Sequence, residues 1–281
     1  MRRLFVALFG VSLCIACSDD LDPPSRITEL RLLAVQADHP YAQPGENVVL
    51  DALAVDPRAR PLRWAWGTCV DAQSSIALDC LRALDFTTMT IGDDLSHHEL
   101  TMPTTQNDYV GVAVVVCPGD IRAGDTNGIP LACVDETGRQ LDVSEFEVGL
   151  KHIANRPSDL NHNPSIDGVT WDGAPWLEDE VQHDECVRMR DGECVEHGKH
   201  AIAVSAPNAV EGAQGDVNER AIVSFFATAG DFDDEVRFYD DAATKWRARK
   251  QDAAPQLVTM WFVLRDDRGG VSWTSRRVQI D

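Results

Sequence analysis

The sequence predicts an all-β protein of two consecutive β-sandwich domains behind an export leader. Three observations lead there. Short apolar runs alternate at period two, as around Val49 to Val55 and at Phe146, Val148 and Leu150. Turn signals such as Pro44-Gly45, Asp191-Gly192 and Gly269-Gly270 punctuate the runs. No long stretch keeps the 3.6-residue period of an amphipathic helix.

The chain opens MRRLFVALFGVSLCIAC, with Arg2 and Arg3 ahead of an apolar stretch from Leu4 to Ile15. About a dozen apolar residues suit a signal peptide and fall short of the roughly 20 that a membrane-spanning helix needs. Ala16 stands before Cys17, and the polar run Ser18, Asp19, Asp20 follows. This pattern resembles the lipobox of bacterial lipoproteins. The resemblance implies that residues 1–16 are a leader and that Cys17 receives diacylglycerol, which holds the chain to a membrane. Cys14 departs from the pattern, because leucine is usual there. An ordinary secretory signal that leaves Cys17 as a thiol is the alternative. Ser18 resembles the sorting residue of lipoproteins carried to the outer membrane, so a lipid-anchored place at the cell outer membrane is expected. Residues 17–26 read as a lipidated tether, with Pro23 and Pro24 within it.

Acidic residues number 46 against 25 basic ones, for a net charge of −21. That field repels nucleic acid and anionic headgroups and excludes a nucleic-acid-binding role. The carboxylates are dispersed among apolar residues, as on a solvated folded surface and not as in a disordered acidic tail.

Beyond Cys14 and Cys17, six cysteines remain: Cys69, Cys80, Cys117, Cys133, Cys186 and Cys194. An even number in an exported chain points to disulfides. Chain order favours the local set Cys69–Cys80, Cys117–Cys133 and Cys186–Cys194, with cross-strand pairings such as Cys69–Cys117 left open. Cys186, Cys194, His197 and His200 also spell C-x7-C-x2-H-x2-H, but seven residues between the cysteines is wide for zinc, and oxidation would remove both thiolates.

The first domain is expected over residues 27–154. Ile27 to Ala37 reads as a strand, Pro44-Gly45 as a turn, and Val49 to Val55 as an alternating strand with apolar Val49, Leu50, Leu53 and Val55. PLRWAWGTC adds a strand with Trp64 and Trp66 on one face. Phe86 to Ile91, Tyr109 to Cys117 and Val143 to Ile153 continue the series. The phrases LAVQA, YAQPGENVVLDALAVDP and PLRWAW resemble the opening of bacterial immunoglobulin-like modules, which implies an immunoglobulin-like sandwich. Residues 155–170 (NRPSDLNHNPSIDGVT) have linker composition. The second domain, residues 155–281, takes strands at Ile166 to Trp171, Ala201 to Ser205, Arg220 to Thr228, Leu257 to Arg265 and Val271 to Ile280. LVTMWFVL is the most apolar run and reads as a central strand. Asp240 to Asp252 reads as a loop or one helical turn.

Candidate sites are sparse. Asp159, Asn161, Asn163 and Asp167 place oxygen ligands as a calcium loop does, although Pro164 and Thr170 break the EF-hand pattern. Asp231, Asp233, Asp234 and Glu235 form a second oxygen cluster. His97, His98 and Glu99 lack the second histidine of H-E-x-x-H and read as an exposed loop. Trp171 and Trp176 suit either carbohydrate stacking or core packing. No nucleophile-elbow, P-loop or dinucleotide glycine motif is present. The expected function is therefore a non-catalytic binding or structural surface module contacting envelope proteins or polysaccharide, with no cofactor unless calcium. The alternatives are a carbohydrate-active or other hydrolase using acidic residues, and a cation- or solute-binding lipoprotein.

Overall fold

The computed structural model describes residues 23–70, 77–126, 128–210, 219–250, 252 and 255–281. The leader and Cys17 lie outside the described residues. Within them the chain is almost wholly β and makes two immunoglobulin-like sandwiches.

In chain order the first sandwich contains β1 (Arg31–Ala37), β2 (Tyr41–Ala42), β3 (Asn47–Val55), β4 (Arg63–Cys69), a short helix α1 (Ala77–Ala83), β5 (Thr90–Asp93), β6 (His97–Thr101), β7 (Tyr109–Cys117), β8 (Asp120–Thr126), β9 (Ile129–Val134) and β10 (Glu147–Asn155). One sheet has the order β1-β3-β6 and faces a second of order β2-β10-β7-β4-β5, while β8 and β9 form a separate two-stranded sheet. Trp64 and Trp66 both enter the space between the sheets, with Val48, Leu50, Val112 and Val114. Ala65 between them faces the other way, into a second apolar layer with Leu81, Val115, Ile121 and Leu131. That layer is built by α1 and the β8–β9 hairpin, which the disulfides Cys69–Cys80 and Cys117–Cys133 fasten to the sheet. It makes this half three-layered, where the sequence pattern leads one to expect two. It also accounts for YVGVAVVVC: β7 is covered on both faces, so apolar residues run on without alternation.

Three local expectations differ from the structure. The strand expected at Phe86 begins only at Thr90, because Asp85 caps a 3-10 turn over Phe86–Thr88 by accepting from the Thr87 amide at 2.9 Å. His97 to Thr101 is an edge strand on β3, not a loop, and His98 stacks on Trp66 at 5.2 Å. Val143–Glu145 forms a 3-10 turn before β10 starts at Glu147.

The second sandwich contains β11 (Gly168–Trp171), β12 (Ala174–Pro175), β13 (Val181–Asp184), β14 (Cys186–Arg190), β15 (Glu193–His197), β16 (His200–Ser205), β17 (Ala221–Ala227), β18 (Asp231–Phe232), β19 (Val236–Phe238), β20 (Ala243–Arg247), β21 (Gln256–Asp266) and β22 (Val271–Ile280). Its sheets have the orders β12-β11-β16-β20-β18 and β13-β22-β21-β17-β19. LVTMWFVL lies in the central strand β21, as its composition implies. Trp176, Phe225, Trp246 and Phe262 fill the core, each burial stabilising by about 2–3 kcal/mol. Asp240 to Asp252 departs from expectation, since Ala243–Arg247 is the strand β20. Thr244 and Trp246 point inward and their neighbours outward, a period of two that a short polar run hides. The Trp246 indole donates to the Ala229 carbonyl at 3.0 Å. Gly230 beside it has φ +76°, and any Cβ there would strike the indole ring.

Residues 155–167 are built into a junction and do not hang as a free linker. Ile27, Leu33 and Ala34 pack with Val263 and Val271 across it. Gln36 donates to the Val271 carbonyl at 2.6 Å, Arg265 to the Leu33 carbonyl, and Lys151 to the Gly269 carbonyl. Residues 25–27 are rooted on the second sandwich. Ile27 donates to the Ala227 carbonyl at 2.8 Å, the Ser25 hydroxyl to Glu235 at 2.9 Å, and Arg26 pairs with the buried Asp252 at 2.6 Å.

Candidate functional site

The segment between β13 and β16 leaves the sandwich as a hairpin. Strands β14 and β15 form their own two-stranded sheet and join neither large sheet. Asp191 (φ 54°) and Gly192 (φ 86°) make the turn, the pairing of left-handed residues for which Asp-Gly is suited. An isolated hairpin is marginal in water. The Cys186–Cys194 disulfide, spanning eight positions, restrains this one and contributes about 2.5 kcal/mol in the loop-entropy picture. Val187 and Met189 are 65% and 60% exposed on it.

A buried polar cluster holds the hairpin's base. Asp184 precedes the hairpin and His197 closes it. The Asp184 carboxylate is fully buried, with His200 Nε2 at 3.0 Å from Oδ1 and His197 Nδ1 at 2.8 Å from Oδ2. The His197 contact is close but lies off the direction a hydrogen bond requires. His200 Nδ1 stands 2.8 Å from Asp172 Oδ2, and Asp172 Oδ1 accepts from the Ala201 amide at 2.7 Å. Trp171 stacks on the His200 ring at 4.2 Å. Burial alone pushes the His200 pKa down, but the hydrogen bonds it donates to Asp184 and Asp172 outweigh it and hold the value above the usual histidine range. The cluster is a strut that ties β11, β13, β15 and β16 together.

Beside this base lies a cleft of about 380 Å³, lined by Val195, Glu196 and His197 from β15, Asp231 from β18, and Arg247 to Lys250 at the end of β20. Glu196 pairs with Arg188 at 2.9 Å and Asp231 with Arg249 at 2.5 Å. Arg247 and Lys250 pair with no carboxylate among the described residues.

The residues singled out from sequence fall in several places. The six cysteines form Cys69–Cys80, Cys117–Cys133 and Cys186–Cys194. The last bond takes both thiolates out of the C-x7-C-x2-H-x2-H pattern, while its histidines converge on Asp184. Asp159 and Asp167 are exposed. Asn161 is fully buried and its amide approaches the Arg268 carbonyl at 3.5 Å. Asn163 donates to the Ala37 carbonyl at 2.7 Å and accepts from the Val271 amide at 2.9 Å. The two asparagines thus serve the junction. Among the described residues no group of three His, Cys, Asp or Glu side chains is placed to hold a metal ion. Asp231, Asp233, Asp234 and Glu235 disperse to Arg249, Lys199, Arg237 and Ser25. His97 meets Asp51 at 2.8 Å on the β3–β6 edge. Trp171 and Trp176 are buried in the core. Sequence reasoning missed Asp184 and the basic cleft. The clue to the first was a histidine pair three residues apart beside a hairpin signal; the clue to the second was the cation run R-A-R-K at 247–250 in an acidic chain.

No family model matches the chain, and no curated protein does. Among solved structures, it is similar to a 1.5-MDa bacterial ice-binding adhesin, in a study of host cell surface retention (TM-score 0.24, 11% identity, 84% of this chain and 59% of that one). It is also similar to the adhesin InvE of Yersinia pseudotuberculosis (0.21, 11%, 89% and 58%) and to the human desmocollin-1 ectodomain (0.22, 14%, 87% and 34%). The chain spans 59%, 58% and 34% of these three proteins. Scores of this size carry no argument about function, and the fold rests on the sheets described above.

Proposed function

We propose that the chain is an exported, lipid-anchored envelope protein that binds an envelope protein or polysaccharide and catalyses no reaction. Its contact surface is the β14–β15 end of the second sandwich. The observation that supports this reading most is the hairpin itself, a disulfide-restrained projection that buries little and presents Val187 and Met189 to solvent. Loops and hairpins on a rigid sandwich are where recognition is placed at least cost to the fold. Three disulfides suit an oxidising compartment. The lipobox-like sequence supports acylation of Cys17 and a place at the outer membrane.

Two measurements test the proposal. Intact-mass analysis of native protein, with and without reductant, should show loss of residues 1–16, diacylglycerol on Cys17 and three disulfides. Photo-crosslinking from position 193, exposed on the facing strand, should capture a partner in intact envelopes, and Val187→Ser with Met189→Ser should abolish that capture without lowering Tm. A cytosolic protein that retains Met1 and free thiols would sink the reading.

A further inference from the structure

We propose that the cleft between β15 and the end of β20 binds a phosphoryl group. The first reason is a local reversal of charge. The chain carries −21 overall, yet this concavity has three cations, Arg247, Arg249 and Lys250, against two carboxylates. Both carboxylates are already engaged, Glu196 by Arg188 at 2.9 Å and Asp231 by Arg249 at 2.5 Å. Neither Arg247 nor Lys250 forms an ion pair with a described carboxylate; Asp231, which lies across the β18–β20 ladder from Arg247, is held by Arg249. At physiological ionic strength distant carboxylates are screened beyond about 8 Å, so the cations inside the cleft decide what enters it.

The second reason is shape and donor chemistry. A volume of about 380 Å³ lies near the lower end of ligand pockets and suits a phosphate ester of one sugar or one headgroup. A guanidinium presents a fork of N–H donors that matches two phosphoryl oxygens, and an ammonium adds a point charge for a third.

The third reason is position. The Arg249 amide donates to Asp252 at 2.6 Å, and the other oxygen of Asp252 holds Arg26 at 2.6 Å. The tether therefore leaves the fold next to the cleft. From Cys17 to Arg26 it spans at most about 30 Å when fully extended. On the lipid-anchored reading, the cleft stays within reach of headgroup phosphates. Only the source of the phosphoryl group rests on that reading; the site does not.

The test uses an unlipidated chain, made as Cys17→Ser behind an ordinary secretory leader. Inorganic phosphate, glucose 6-phosphate and glucose are titrated calorimetrically. Both phosphates are expected to bind and glucose not to. Arg247→Ala with Lys250→Ala should weaken phosphate binding about tenfold or more and leave Tm unchanged, since both side chains are exposed. Arg237→Ala, which removes a cation outside the cleft, should leave binding intact. The proposal is overturned if neither phosphate gives heat at millimolar concentration, if the double variant binds as the parent does, or if Arg237→Ala loses as much. Flotation with vesicles of phosphatidylethanolamine and phosphatidylglycerol identifies the source. Cleft-dependent flotation supports a lipid headgroup, and heat without flotation supports a soluble phosphate ester. Failure of acylation is read separately, from the mass of the native protein.

Discussion

Replacing Lys151 by methionine removes a buried ammonium from the seam between the two sandwiches, and the effect on stability should depend on pH in a defined way. Lys151 is 5% exposed and donates to the Gly269 carbonyl. Burial presses its pKa down from 10.5 to about 8, with Asp266 opposing the shift and Arg265 adding to it. In the unfolded chain the ammonium returns to its ordinary value. Between about pH 8 and pH 10.5 the unfolded state therefore binds more protons, and stability rises with pH through that window. Below about pH 8 the burial penalty is fully present, about 3 kcal/mol for the shift at 1.36 kcal/mol per unit. Going from about pH 7 to about pH 9.5 should recover about 2 kcal/mol of it. Methionine fills similar volume and does not titrate, so the parent protein should gain about 2 kcal/mol on Lys151→Met over that interval. Other titrations are common to both proteins and cancel in the difference. The assay is urea unfolding of the oxidised proteins at several pH values, followed by tryptophan fluorescence. Parallel pH curves for the two proteins would refute the buried-ammonium argument.

Three further outcomes follow from the same geometry. Cys186→Ser with Cys194→Ser should cost about 2.5 kcal/mol at most and leave near-ultraviolet circular dichroism of the core intact, whereas Cys117→Ser with Cys133→Ser should cost more, because it also leaves two hydroxyls in an apolar layer. Asp252→Ala should destabilise by about 3 kcal/mol and open the chain near Arg26 to protease, since it removes the buried partner of Arg26 and the acceptor for the Gly230 and Arg249 amides. His200 has a raised folded pKa, so its contribution to stability is complete below 6.5 and fades as pH climbs through the folded value. His200→Gln should flatten that part of the stability curve, and an imidazole resonance titrating at or below 6.5 would contradict the assignment.

Much of the sheet structure was legible because one face of each strand meets the core. Trp64 and Trp66 announce their strand by alternation, and LVTMWFVL announces a central one. The misses share a cause: the burying partner lies far away in sequence. Ala243–Arg247 reads as polar because only Thr244 and Trp246 turn inward. The layer made by α1 and β8–β9 has no local sign beyond the cysteines that fasten it. Asn161 and Asn163 have the composition of a linker, yet Asn163 bonds residues 37 and 271, which no local pattern reveals. At the site, the hairpin turn was readable from Asp191-Gly192. Asp184 was not, since one carboxylate among 46 carries no mark until His197 and His200 close on it.

The docking of residues 25–27 on the second sandwich sets an order of events. Arg26 and Asp252 are separated by 226 positions, so their contact cannot form until almost the whole polypeptide has emerged. Contacts of such long range come late, after nearer ones have closed. The first sandwich can condense before the second is complete, domain by domain. Residues 25–27 gain their seat only when the last strands arrive to receive them. A half-made molecule therefore has its front end unfastened, and the second module, once complete, is the clasp that closes on it.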